Sequence, residues 1–240
     1  MRLLICPPIV PPTGVAVRAL RAARERLLEL RKQTPDFDTL VGLELRVALI
    51  GLRNGNDDSK LRALLYRPAI EPILLTLGPR VHHANFNQLD TLGAACALAG
   101  RTLAYRKARC FGKSENGDVE FEPPDRVALW FPALKTVIHN PKYDLAAPAV
   151  ALALTIIAHP MSDGNGRLAR FLTHALLLKG MSCPLAPVAL TPSLYEHRLA
   201  LASSLSKLCE SGDWQHYYQL FAKILSTGIE LARSTLFPQH

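Results

Sequence analysis

Residues 145–158 read Leu-Ala-Ala-Pro-Ala-Val-Ala-Leu-Ala-Leu-Thr-Ile-Ile-Ala, with no charge anywhere. The stretch is apolar nearly all round a helix, so it predicts a central helix buried on every side. It falls short of the ~20 residues that cross a bilayer. Pro148 suits the first turn of a helix, where the missing N–H has no intrahelical partner to lose. A helix without a polar stripe has to be enclosed by other elements, which commits the chain to a layered helical body. A second apolar run, 168–178, follows after a short polar interruption, and Gly180 closes it. Two buried helices need no loop of unusual composition merely to turn.

That interruption is His159-Pro160-Met161-Ser162-Asp163-Gly164-Asn165-Gly166-Arg167-Leu168-Ala169-Arg170. Gly164, Asn165 and Gly166 lead into a helix. Glycines let successive N–H groups turn toward one point, and the first turn of a helix adds unpaired donors and a positive dipole end. Arg167 and Arg170 stand three residues apart, so nearly on one face, and a guanidinium binds two phosphate oxygens at once. The segment predicts a polyphosphate cradle, without the Gly-x-x-x-x-Gly-Lys-Ser/Thr pattern of a Walker loop. Asp163 is the loop's one carboxylate and suits Mg²⁺, which keeps several waters and shares phosphate oxygens. Without the arginines it reads as a turn or capping residue bonding its own backbone. His159 stands four residues before Asp163, where a neutral imidazole can take a proton from an attacking hydroxyl. Alone, it reads as a histidine at a helix C-terminus.

The rest of the chain is organised around this core. The 240 residues suffice for one large domain or a domain with an appendage. Hydrophobic residues make up 49% and charged residues 20%, the balance of an ordered globular protein. The net charge of +8 favours an anionic partner, but a solvated basic surface accounts for it equally well. Cys6, Cys96, Cys110, Cys183 and Cys209 are scattered and lack Cys-x-x-Cys spacing, so they predict small core residues in a reducing compartment. The apolar burst at 3–6 is too short for a signal sequence or a span, which leaves a soluble protein with no targeting signal as the expectation.

Residues 7–14 carry four prolines and predict an extended lead-in. A helix follows over 15–32, with Val17, Leu20, Leu27 and Leu30 on one face and Arg18, Arg21, Glu25, Glu29 and Lys32 on the other. Helices are expected over 37–53, 59–66, 68–77 and 87–99. Asn116-Gly117 predicts the tight turn of a two-stranded hairpin within 105–121, the one β element expected. Because a hairpin alone is marginal, it must lie on the helical body. Further helices are predicted over 123–138, 148–158, 167–179, 192–209 and 214–231, with Asp213 capping the last. The expected class is all-α with one small hairpin.

With those residues in view, His159 to Arg170 closely resembles the Fic motif, His-x-Phe-x-Asp/Glu-Gly-Asn-Gly-Arg-x-x-Arg. Tyr105-Arg106 precedes a hairpin where that family has its target-binding flap, and Ser211-Gly212-Asp213-Trp214 resembles its Gly-Asp junction. The resemblance covers roughly residues 80–230. It implies a Fic-type helical bundle over 80–230, an N-terminal helical extension over 1–79 and a tail over 231–240. It also implies a protein adenylyltransferase, moving AMP from ATP to a Ser, Thr or Tyr hydroxyl and releasing pyrophosphate. By the resemblance, His159 is the base and Asp163 the Mg²⁺ ligand. Gly164, Asn165 and Gly166 form the nest, Arg167 contacts phosphate, and Arg170 reaches the γ-phosphate. The target protein would dock on the flap near 108–121 by strand addition.

Met161 departs from the usual Phe, and it is an adaptable apolar replacement expected to pack inward. The intact Gly-Asn-Gly-Arg argues against members that act as kinases. An inhibitory Ser/Thr-x-x-x-Glu-Gly/Asn helix is not evident. Ser206 to Ser211 matches in part at the Gly-Asp junction, and Glu44 lacks the required neighbours. Restraint would then come from a separate antitoxin-like partner, or be absent. Such a protein would act in a bacterial cytoplasm or as an exported effector. Alternatives are a Fic enzyme that uses another nucleotide or removes AMP, a Fic fold that only binds nucleotide, and a basic helical nucleic-acid-binding regulator. The last lacks a recognition-helix or aromatic-stacking pattern.

Overall fold

The computed structural model describes residues 2–33, 105–114, 117–162, 164–177 and 188–238. The expected helices over 37–53, 59–66, 68–77 and 87–99 lie outside them, as do Glu44, Cys96, Asp163, Gly180 and Cys183. In order come β1 (Arg2–Leu3), α1 (Gly14–Gln33), β2 (Phe111–Ser114), β3 (Gly117–Glu120), α2 (Pro124–Val127) and α3 (Trp130–His139). A 3₁₀ turn (Pro141–Tyr143) leads to α4 (Ala147–Ala158) and α5 (Asn165–Leu177), then α6 (Leu190–Glu196), α7 (Arg198–Ser211) and α8 (Trp214–Leu236).

The central position of α4 is as its composition requires. Every residue of the helix except Ile156 is buried. Its most extensive packing is against α5, and α3 closes another side. Where polar atoms fall inside, they are bonded: the Tyr217 hydroxyl donates to the Ala149 carbonyl at 2.9 Å, and Trp130 Nε1 donates to Thr155 Oγ1 at 3.3 Å. Met161, at the variant motif position, is buried at the end of this core, as an inward-packing replacement should be.

α1 lies along α8, burying Ala16, Leu20, Ala23, Leu27 and Leu30. Leu20, Leu27 and Leu30 were legible from spacing; Val17 is only half-buried, and the alanines take the closer approach. The proline-rich lead-in is held by an unusual device. Its backbone offers few donors, but its carbonyls still need partners. Trp214 Nε1 donates to the Pro8 carbonyl at 2.9 Å, Tyr218 to Val10 at 2.7 Å, Gln215 to Pro11 at 3.0 Å and Tyr143 to Ile9 at 3.0 Å. Residues 2–33, read from sequence as part of an extension over 1–79, thus share one core with the helices after residue 124.

Several boundaries differ from the sequence reading. The hairpin is part of a three-stranded sheet, ordered β1-β3-β2, because Arg2 and Leu3 pair parallel with Val119 and Glu120. Gly117, with φ +108°, forms the first pair of β3 opposite Ser114 rather than the centre of the turn. The helix expected over 123–138 is broken at 128–129. Pro132 cannot donate to the Ala128 carbonyl four residues back, and its ring would collide with it in a continuous helix. The helix expected over 192–209 starts at Leu190 and divides at His197, whose Nε2 bonds Thr227 Oγ1 on α8 at 2.9 Å. α8 continues to Leu236, into the segment read as a tail, and buries Ala232. Asp213 caps it as expected, accepting from the His216 N–H at 3.0 Å. Cys6, Cys110 and Cys209 are free thiols and half-buried, and Cys6 and Cys209 pack against the core.

Among the described residues, no helix is long and apolar enough to cross a membrane.

Candidate functional site: the turn from α4 to α5

A helix leaves its last carbonyls without intrahelical donors, and a buried end needs outside partners. At the end of α4 these partners come from one segment, 105–122. The Glu122 N–H donates to the Ile157 carbonyl at 3.2 Å. Arg106 donates from its guanidinium to the carbonyls of Ala158 at 3.0 Å and His159 at 2.7 Å, and its own N–H donates to Pro160 at 2.9 Å. The same guanidinium reaches the carbonyls of Ala108, at 2.9 Å, and Glu122. Tyr105 bridges antiparallel to Met161. The foot of the hairpin is therefore laced to four successive carbonyls. A buried cation at a helix C-terminus also meets the negative end of the helix dipole. Desolvation pushes the Arg106 pKa down, opposed mainly by Cys110 and Glu122.

This lacing fixes His159. The residue ends α4 in a left-handed conformation, φ 46° and ψ 56°, with its N–H bonded to the Thr155 carbonyl at 3.1 Å. It is the one non-glycine residue with positive φ among those described. Such backbone costs about 1–3 kcal/mol, and it persists where the surroundings impose it, often at functional sites. The imidazole lies against the Phe121 ring, centroids 4.0 Å apart and planes within 19°. Gly112 also approaches that ring: a Cβ there would stand 3.1 Å from Phe121 Cε2 and Cζ.

The helix after the loop starts at Asn165, two residues earlier than expected, because Asn165 closes the turn. Its side chain is buried: Oδ1 accepts from the Met161 N–H at 2.8 Å, and Nδ2 donates to the Met161 carbonyl at 2.8 Å. Its side chain thus holds the loop closed. Of the two glycines, only Gly164 has the left-handed backbone, φ 82°. Gly166 sits exposed in the first turn of α5, and Arg170 Nη1 lies 3.5 Å from where its Cβ would be. The structure thus brings together His159, Gly164, Asn165, Gly166 and the half-buried Arg170 at one end of α4 and α5. Asp163 and the side chain of Arg167 lie outside what is described. Glu210, in the partial inhibitory pattern at 206–211, pairs with Arg2 instead.

Arg106 and Phe121 were not among the candidates read from sequence. No local pattern marks either one, since each acts on a residue far along the chain.

A scan of protein-family models finds no match, and neither does a search of the curated proteins. Solved structures do match. One is a Fic family protein from Desulfovibrio desulfuricans G20, with a TM-score of 0.70 and 18% identity over 97% of this chain and 79% of that one. Another is a Fic domain containing signaling protein from Bacteroides thetaiotaomicron VPI-5482, with a TM-score of 0.50 and 14% identity over 91% and 97%. The fold is that of a Fic domain. Likeness at this identity carries the architecture, and the His159–Arg170 turn falls between the two helices at the centre of that architecture.

On the outer edge of the hairpin, Arg109 forms a two-pronged ion pair with Glu120 and lies 5.5 Å over the ring of the exposed Phe111. The guanidinium holds the Glu120 carboxyl below the ordinary carboxylate range. Glu122 goes the other way: burial raises its pKa, and Arg126 opposes the rise.

Proposed function

We propose that the protein is a protein adenylyltransferase. The observation that supports this reading best is the tethering of His159 beside the hairpin foot, next to a glycine turn that opens α5 and carries Arg170. A base and a helix N-terminus placed side by side suit attack by a hydroxyl on a phosphoryl group.

In this reading ATP lies with its phosphates at the first turn of α5, against Gly164, Gly166, Arg167 and Arg170. A Ser, Thr or Tyr hydroxyl of a protein segment reaches the α-phosphorus along the hairpin. Its oxygen bonds to the α-phosphorus, and its proton passes to His159. The bond from the α-phosphorus to the bridging oxygen breaks, and pyrophosphate leaves. Asp163 offers a single carboxylate, a donor set that fits Mg²⁺ because that ion shares phosphate oxygens and keeps water. Asp163 would hold the ion, which supplies charge neutralisation on the phosphates. Strand addition at β2, an edge strand of the sheet, presents the target with main-chain bonds.

The test is labelling. Incubation with α-labelled ATP, Mg²⁺ and a cell lysate is expected to label a protein band, and His159→Ala is expected to abolish it. Transfer of a γ-label, or α-label transfer that survives His159→Ala, would overturn the reading.

A further inference from the structure

The register of the hairpin sorts its main chain and its side chains. The Leu4 N–H donates to the Glu120 carbonyl at 2.7 Å, so the main chain of Glu120 faces β1. Phe111 stands opposite Glu120 in antiparallel register. That pair exchanges no main-chain bonds, because bonded and non-bonded pairs alternate and the Phe121 N–H donates to the Cys110 carbonyl at 3.0 Å one step along. The N–H and C=O of Phe111 therefore point away from β3, and among the described residues β2 pairs with β3 alone. Side chains of paired residues share a face of a sheet, and successive side chains alternate between faces. Arg109, Phe111 and Glu120 thus lie on one face, in keeping with their contacts: Arg109 pairs with Glu120 and stands 5.5 Å over the Phe111 ring. Phe111 is 52% exposed there. Gly112, Val119 and Phe121 belong to the other face, where Val119 is buried and the Phe121 ring lies against the His159 imidazole.

A strand added at this edge obeys the same alternation. A hydroxyl side chain directed at His159 leaves the added strand on the face of Gly112 and Phe121. The residue next to it then projects on the face of Phe111. The nearest charges on that face, Arg109 and Glu120, neutralise each other, so the exposed phenyl ring favours an apolar side chain over a charged one. We propose that the protein selects target segments with an aromatic or aliphatic residue adjacent to the modified hydroxyl residue, and that Phe111 is the specificity-determining residue that reads it. Its main chain holds the added strand and its ring sorts the neighbour. Cross-strand pairs of this kind are modest in strength, so the preference is graded, about fivefold. The place of the hydroxyl rests on the adenylyl-transfer reading; the preference of this edge for an apolar residue does not.

The experiment uses the full chain and pools of short synthetic peptides, each with a central Ser, Thr or Tyr and random flanks free of hydroxyls. Retention on the immobilised protein without ATP reads the contact. AMP taken up from α-labelled ATP with Mg²⁺ reads the position, and both fractions are sequenced by mass spectrometry. Retained peptides are expected to be enriched in aromatic and aliphatic residues. Modified peptides should carry them next to the central residue, about fivefold over glycine, and not two positions away. Phe111→Ser should abolish the enrichment, and Phe111→Leu should keep its aliphatic part. Phe111 is exposed, so both variants are expected to fold as the wild type does, checked by melting temperature. Retained peptides without apolar enrichment, or enrichment that survives Phe111→Ser, would overturn the contact. Enrichment two positions from the modified residue instead of one would overturn the assignment of faces. If no peptide and no lysate protein takes up AMP, the proposed function fails, and the retained peptides alone decide whether Phe111 reads an apolar residue.

Discussion

Arg106→Ala should be among the most destabilising single substitutions in this chain. The side chain donates to four carbonyls, and the bonds to Glu122 and Ala158 lie in buried surroundings. Removing a charged donor from a buried acceptor costs about 1.5–3 kcal/mol per bond, and such losses add less than linearly. Counting the two buried bonds and a helix-terminus interaction of at most ~1 kcal/mol, the expected loss is about 3–5 kcal/mol. For a chain of this size each kcal/mol lowers the melting temperature by about 2–4 °C, so the midpoint should drop by roughly 10 °C. Urea unfolding followed by circular dichroism reads the same quantity, with the midpoint shifting and the slope constant. Arg106→Lys is the sharper variant. It keeps the charge but not the planar fork that reaches carbonyls on three segments, and should recover less than half of the loss. A loss below ~1 kcal/mol in Arg106→Ala, or a Lys variant as stable as wild type, would refute the claim that this guanidinium closes the end of α4.

Two further outcomes follow from packing and burial. Gly228 on α8 faces the start of α6, where an added Cβ would stand 2.7 Å from Val188 Cγ2 and 3.2 Å from the Ala189 carbonyl oxygen. Gly228→Ala should therefore cost about 1–3 kcal/mol by overpacking, read as a lower urea midpoint, despite the better helix propensity of alanine. Burial also pushes the Tyr217, Tyr218 and Cys6 pKa values above their ordinary range, and that of Cys209 up to about 11. The folded chain then holds these protons after the unfolded chain has lost them. Stability is fully present below the ordinary thiol value of 9.0 and declines as pH rises past it and past 10.0 for the tyrosines, by up to about 1.4 kcal/mol per unit for each group. Unfolding midpoints measured from pH 8 to about 11 should fall monotonically, and a flat profile would contradict the burial of these groups.

What could be read from sequence was whatever repeats locally. The apolar run at 145–158 announced α4, the spacing of Leu20, Leu27 and Leu30 announced α1, and Asp213 announced the start of α8. The Gly-Asn-Gly turn stood out because glycines and arginines in fixed order have few structural uses. Two-residue elements carry no period, so β1 was invisible until its pairing with Val119 and Glu120 was seen. Breaks inside helices were misjudged where their cause lies elsewhere, as at His197, which bends the chain to bond Thr227. That the Asn165 side chain closes the loop on Met161 is a tertiary fact with no local signal. The Pro132 break was in principle legible, since a proline's effect on the carbonyl four residues back is local.

The residues missed at the site share one cause. Arg106 is 53 positions from His159, and Phe121 reaches it across the loop from another segment. Neither has a motif, because neither needs one: a helix that ends buried presents the same carbonyls whatever its side chains. The end of α4 is apolar up to Ala158, so its carbonyls had to be met by main chain or by a long donor from outside. A β-hairpin supplies main-chain donors only along its strands, which leaves the last turn for a side chain with several N–H groups in a plane. Arginine is that side chain. The chemistry attributed to His159 thus depends on a structural necessity created by the apolar helix before it. The same run that fixes the fold leaves carbonyls to be met at its end, and the residues that meet them bring the foot of the hairpin beside His159.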